Sequence, residues 1–253
     1  MKRIMLTVAY DGTNYCGWQM EPTGLSVEEV LNKALSKRLN EDIRVKGVSR
    51  TDSGVHALAN LCIFDTETPI PPEKICFAVN EVLPEDIVVR KSEEVPPDFH
   101  PRKCDSLKTY EYTLYHDSLP NPLVRHYTTY YYRRLDVQKM REGAAYLIGE
   151  HDFSSFCSAG SQAETKVRRI TALEIEEEGT RICFRITGTG FLYNMVRIIV
   201  GTLLRTGTGF WPPEKVKEIL EAKDRQAAGP KAPAEGLCLV EIRLFPEGFP
   251  SSL

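Results

Sequence analysis

The sequence predicts an α+β protein made of two ferredoxin-like halves, and three observations predict it. A β-α-β-β-α-β order of elements can be read between residues 3 and 90. The same order begins again near residue 108. Turn signals such as Asp11-Gly12 and Glu178-Gly179-Thr180 fall between the periodic segments. Two such halves side by side make a mixed, mainly antiparallel sheet with a central cleft. The expected division is 1–104 and 105–253.

In the first half, residues 3–10 (RIMLTVAY) form a strand ended by Asp11-Gly12. Residues 26–39 follow a helical period through Val27, Val30, Leu31, Ala34 and Leu35. Ser26-x-x-Glu29 is a capping box at the start of that helix, and Asn40 suits its end. Strands follow at about 43–48 and 57–64. Pro71-Pro72-Glu73 begins a second helix with Ile75, Val79 and Val82 inward, and Asp86–Arg90 is a short strand.

In the second half, Lys108–Tyr115 (KTYEYTLY) alternates as a strand, and Asp136–Ile148 carries a helical pattern. Thr165–Glu177 and Arg181–Thr187 form a hairpin. Phe191–Leu204 is a strongly apolar helix, Pro212–Ala222 a further helix, and Leu237–Leu244 the closing strand.

Composition narrows the function. With 253 residues, 42% hydrophobic and 26% charged, the chain reads as an ordinary globular protein of one large or two smaller domains. No secretion signal is visible at the N-terminus, and the longest apolar run is too short to span a bilayer and carries Arg197. Seven cysteines without C-x-x-C spacing point to reduced thiols, a cytoplasmic protein and no metal. A net charge of −3 argues against bulk attraction to nucleic acid. It leaves room for a local basic groove, since Arg102-Lys103, Arg133-Arg134 and Lys166-x-Arg168-Arg169 lie apart from the acidic run Glu174 to Glu178.

The segment Ser49-Arg50-Thr51-Asp52-Ser53-Gly54-Val55-His56-Ala57 is dense in chemistry. A carboxylate serves as nucleophile or base, and a neighbouring guanidinium keeps it ionised at neutral pH, lowering its pKa by about 1–3 pH units. The plain alternative is a loop whose Asp and Ser cap backbone groups. Asp11 is the rival carboxylate, and His56 reads as structural. Arg197 lies between Met195-Val196 and Ile198-Ile199-Val200, where an unpaired cation costs roughly 3–5 kcal/mol. Asp52 is its preferred partner; snorkelling to water is the alternative. Tyr110 and Tyr112 share one strand face, and an aromatic at the rim of an Asp/Arg cleft suits stacking on a flipped base.

Seven segments in order carry a resemblance along nearly the whole chain. They are YDGTNYCGWQ (10–19), SRTDSGVHA (49–57), NEVLPEDI (80–87), FHPRKCDSLKTYEY (99–112), HDFSSF (151–156), GTGFLYNMVRIIVG (188–201) and APAEGLCL (232–239). Together they resemble the tRNA pseudouridine synthase A family. The resemblance implies the pseudouridine synthase fold and isomerisation of uridine in the tRNA anticodon stem-loop at positions 38, 39 and 40. It implies no metal or organic cofactor, and a homodimer in which one tRNA contacts both subunits. By similarity Asp52 is the catalytic aspartate, Arg50 helps hold the nucleotide flipped, Tyr110 stacks on the uracil, and Arg197 is the basic residue paired with the aspartate. One departure stands out: the family usually has Gly before the motif Arg, and this chain has Ser49, which puts the local backbone geometry in question.

Two other readings compete. A non-catalytic RNA-binding protein with RNA-recognition-like halves fits the fold order, although the aromatic-rich signature of those modules is missing. A small-molecule hydrolase using Asp52 and His56 has weak support, because no Ser or Cys stands at a recognised nucleophile spacing.

Overall fold

The computed structural model describes residues 1–22 and 24–250. The chain divides into two compact units, one made of residues 1–105 with 238–249 and the other of residues 106–237.

The first unit opens with two elements close to those expected. Strand β1 (Lys2–Tyr10) alternates, burying Ile4, Leu6, Val8 and Tyr10 on one face. Helix α1 (Val27–Leu39) starts at Ser26, whose Oγ accepts the Glu29 N–H at 3.2 Å, and stops at Asn40 in the left-handed region. Glu28 and Glu29 in its first turn and Lys37 and Arg38 in its last complement the helix dipole. Leu31, Ala34 and Leu35 are buried as the periodicity requires, while Val30 is only half-buried.

The strand expected at 43–48 shortens to β2 (Lys46–Gly47), although Ile43 and Val45 are still buried. β3 (His56–Thr66) is long and buried on both faces over Leu61–Phe64. A 3-10 turn at Pro72–Lys74 leads into α2 (Ile75–Asn80). Ile75 and Val79 point inward as expected, but the helix ends before Val82, which is 37% exposed. The strand read as Asp86–Arg90 runs on as β4 (Ile87–Val95). β1 pairs antiparallel with β3 and β4, and β2 pairs antiparallel with β3. The resulting order β4-β1-β3-β2 is that of a ferredoxin-like sheet.

The second unit keeps the same plan with additions. β5 (Asp105–His116) pairs antiparallel with β9 (Arg181–Gly188), which pairs antiparallel with β8 (Val167–Glu178) across the expected hairpin. The turn works because Gly179 takes φ +56°. Two short strands extend the set: β6 (Thr129–Tyr131) lies parallel to β5, and β7 (Gly149–Asp152) antiparallel to β8. Helix α3 (Val137–Ala145), capped by the Asp136 side chain, packs on β8 and on α4 (Met195–Gly207). The apolar helix therefore begins four residues later than periodicity indicated, because Asn194 takes the left-handed conformation just before it. α5 (Lys215–Ala222) follows.

The last strand is β10 (Leu237–Phe245). It forms where a closing strand was expected, at 237–244, and it also pairs parallel with β3, Cys238 opposite His56 and Leu239 opposite Ala57. Among the described residues no helix is long and apolar enough to cross a membrane.

Candidate active site

In the first unit the 49–56 segment is a tight turn held against the 10–19 loop. The Val55 N–H donates to the Asp52 carbonyl at 3.1 Å, with Gly54 at φ +77°. The Trp18 N–H donates to the Thr51 carbonyl at 3.1 Å, and the Gly54 N–H to the Tyr15 carbonyl at 3.2 Å. Tyr10 Oη lies 2.8 Å from Thr51 Oγ1, and Asn60 Nδ2 donates both to Tyr10 Oη and to the Ser49 carbonyl. Two glycines make this approach possible. A β-carbon on Gly12 would overlap the Val55 carbonyl, and one on Gly17, at φ +111°, would stand 2.5 Å from the Thr51 carbonyl. Asp52 thus sits half-buried on a turn braced from both sides, two residues after the exposed Arg50.

Ser49 fits without strain. It is 5% exposed, it is not among the residues with positive φ, and its carbonyl is bonded to Asn60. The backbone here asks for no glycine.

The rival carboxylate Asp11 has structural work, and so has His56, as expected. Asp11 Oδ1 accepts both the N–H and the hydroxyl of Thr13, at 2.9 and 2.5 Å, which closes an Asx turn. His56 is 5% exposed, and its Nδ1 accepts the Gly12 N–H at 3.0 Å. It ties the two loops together and does not present that nitrogen as a free base.

In the second unit Arg197 is 8% exposed on α4, so it does not snorkel to water. Its Nε donates to the Ala232 carbonyl at 2.8 Å and its Nη1 to Asn194 Oδ1 at 3.1 Å. Asn194 is fixed in turn by donating to Ser158 Oγ at 3.0 Å. Tyr110, 6% exposed, sets its ring edge-on to Phe191 with centroids 5.2 Å apart. Its neighbour on the same face, Tyr112, is fully buried and donates to the Pro233 carbonyl at 3.0 Å. Burial raises the Tyr112 phenol pKa well above its ordinary value.

Sequence reading missed Asn194, Ala232 and Pro233 as the groups that orient Arg197 and Tyr112. The signal was present: Asn194 stands three residues before Arg197 in the sequence, and Ala232 and Pro233 open the APAEGLCL landmark. Among the described residues no group of three or more His, Cys, Asp or Glu side chains is placed to hold a metal ion.

A family model described as tRNA pseudouridine synthase matches residues 6–102 and 144–244. A tRNA pseudouridine synthase A of Clostridium acetobutylicum is 48% identical over 242 residues, covering 96% of this chain and 99% of the relative. One from Acetivibrio thermocellus is 44% identical over the same shares. A solved archaeal box H/ACA Nop10–Cbf5 complex aligns with 89% of this chain and 59% of its own, at 12% identity and a TM-score of 0.38, too low to carry an argument. On the match of the family model and of these full-length relatives, the chain belongs to the tRNA pseudouridine synthase family.

Proposed function

We propose that this protein isomerises uridine to pseudouridine in the anticodon stem-loop of tRNA, at positions 38, 39 and 40, with Asp52 as the catalytic residue. The relatives are named for action on tRNA, and the observation that carries the reading to a residue is the braced Asp52 turn. The reaction breaks the N1–C1′ bond, turns the uracil and joins C5 to the same C1′, releasing only the C5 proton. A carboxylate held in place serves such a reaction by adding to C1′ or by taking the 2′ proton. An isotope effect on tRNA deuterated at the 2′ carbon separates the two routes.

In this reading Arg50 holds the nucleotide out of its stack, Tyr110 stacks on the uracil, and Arg197 is the basic partner of the aspartate. Stacking contributes about 1–3 kcal/mol per base, enough to offset much of the few kcal/mol spent on extrusion. The enzyme works as a cytoplasmic homodimer without metal or organic cofactor, as its resemblance implies.

Tritium release from tRNA labelled at uridine C5 tests the proposal. The parent protein releases it; Asp52→Asn releases none while still binding tRNA. Release by the Asn variant at the parental rate ends the assignment to Asp52. A parent that binds tRNA and releases nothing is an RNA-binding protein instead.

A further inference from the structure

The first unit contains a cleft of about 260 Å3 to which the proposed chemistry gives a role at Arg50 alone. Trp18, Gln19 and Val45 line part of it, and the rest is charged or polar: Lys46, Arg50, His100, Arg102 and one carboxylate, Glu28. We propose that this cleft seats a backbone phosphate of the bound RNA adjoining the nucleotide at Asp52, with Lys46, His100 and Arg102 as donors. The inference rests on the tRNA reading above.

Charge and geometry both favour an anion. Three permanent cations face one carboxylate, and that carboxylate is partly occupied, since Glu28 Oε2 accepts the Met20 N–H at 2.9 Å. Arg102 is fixed by one bond only: its Nε donates to the Gly47 carbonyl at 2.7 Å, while both terminal nitrogens make no ion pair among the described residues. A guanidinium so anchored presents its remaining N–H groups in a rigid fork that matches two phosphate oxygens. His100 Nδ1 accepts the Arg102 N–H at 3.3 Å, so the ring proton is on Nε2 and available to an acceptor. The Lys46 ammonium makes no hydrogen bond or close ion pair among the described residues, although its charge reaches Asp65, and it can serve as a point charge. Trp18, 1% exposed, carries a buried Nε1–H with no acceptor there either.

Position favours a phosphodiester of RNA over a free anion. Trp18 and Arg50 belong to the two loops that brace the Asp52 turn. A strand whose uridine reaches Asp52 must carry an adjoining phosphate past Arg50, two residues away. Phosphate contacts of this kind set register and carry no base information.

The test is tRNA binding across a salt series, measured in the Asp52→Asn background so that no turnover intervenes. Lys46→Gln combined with Arg102→Gln should weaken binding about three- to tenfold and make the logarithmic salt slope shallower by about 0.7–0.9, one phosphate's share of counterion release. Because Arg102→Gln also loses the bond to Gly47, Lys46→Gln alone is the arm that leaves folding intact, and it should move the slope in the same direction. Ethylation of one backbone phosphate should weaken binding by a similar factor for the protein bearing Lys46 and Arg102 and leave binding by the double variant unchanged. Unchanged slopes overturn the proposal, as does inorganic phosphate filling the cleft without displacing tRNA. Tritium release by the wild-type enzyme reports separately: an active enzyme with unchanged slopes loses only this inference, whereas an inactive one loses the functional reading.

Discussion

Arg197 and Ala232 are bonded to each other twice. The guanidinium Nε donates to the Ala232 carbonyl at 2.8 Å, and the Ala232 N–H returns a bond to the Arg197 carbonyl at 3.0 Å. The segment around residue 230 is thereby laid along α4, where Gly201 leaves room for it: a β-carbon there would overlap the Pro230 carbonyl.

Arg197→Ala therefore carries a stability cost apart from any loss of activity. It strands the acceptors of Ala232 and Asn194 at about 1–3 kcal/mol each. Melting followed by circular dichroism should fall by about 2–4 °C for every kcal/mol lost. A melting temperature equal to the parent's contradicts the buried bonding described for this residue.

His56→Ala should separate a brace from a base. Losing the imidazole orphans the Gly12 N–H and costs about 1–3 kcal/mol in stability. At a temperature where the variant is folded, tritium release should stay within a few-fold of the parent. Complete loss of turnover in a folded His56→Ala protein would favour acid–base chemistry by this residue.

Gly17→Ala should disturb the Asp52 turn without touching a functional group. Its φ of +111° disfavours any side chain by about 1–3 kcal/mol, and the new methyl would press on the Thr51 carbonyl. Gly160→Ala is the control, with φ +82° and nothing within 4 Å of the added carbon. Both should lose stability, but only Gly17→Ala should lower the turnover rate. Equal turnover in the two variants would show that the turn tolerates the push.

Asp65 gives the acid limb of stability a defined origin. Its two oxygens accept from Arg3 Nε and Nη2 at 2.7 and 2.9 Å, and that pairing holds its carboxyl pKa below the ordinary value. A depressed folded pKa means the stabilisation is complete above the unfolded value of about 3.9 and is lost as pH falls through the folded one. Urea denaturation should show Asp65→Asn less stable than the parent at pH 6, by about 1 kcal/mol or less for a pair that is only half-buried. The gap should close towards pH 2. A gap that persists there would point to packing in place of charge.

Local signals were read from the sequence with most success. Ser26 and Asn40 mark the ends of α1 because each acts on the backbone next to it. Arg197 stood out because a cation in an apolar helix is costly wherever that helix packs, and the Asp52 segment stood out by its chemistry alone. Non-local pairing was not legible. Nothing in the composition of β10 says that Cys238 pairs with His56, since strand choice depends on edges built by residues far away in sequence. The cationic cleft was hidden for a similar reason: Trp18, Lys46, Arg50 and Arg102 come from separate segments that only folding assembles. The late start of α4 follows from one backbone conformation, that of Asn194, which propensity does not encode.

The return of β10 to β3 has a consequence for synthesis. The unit that carries Asp52 is made of residues 1–105 with 238–249, so its sheet gains β10 only after the intervening 106–237 unit has been translated. The backbone of β3 at His56, just beyond the reactive turn, waits for residues 238 and 239. A ribosome that stalls or terminates before codon 238 releases a polypeptide whose Asp52 unit has an unfilled edge, and such a product should be cleared by proteases and not accumulate as a half-active enzyme.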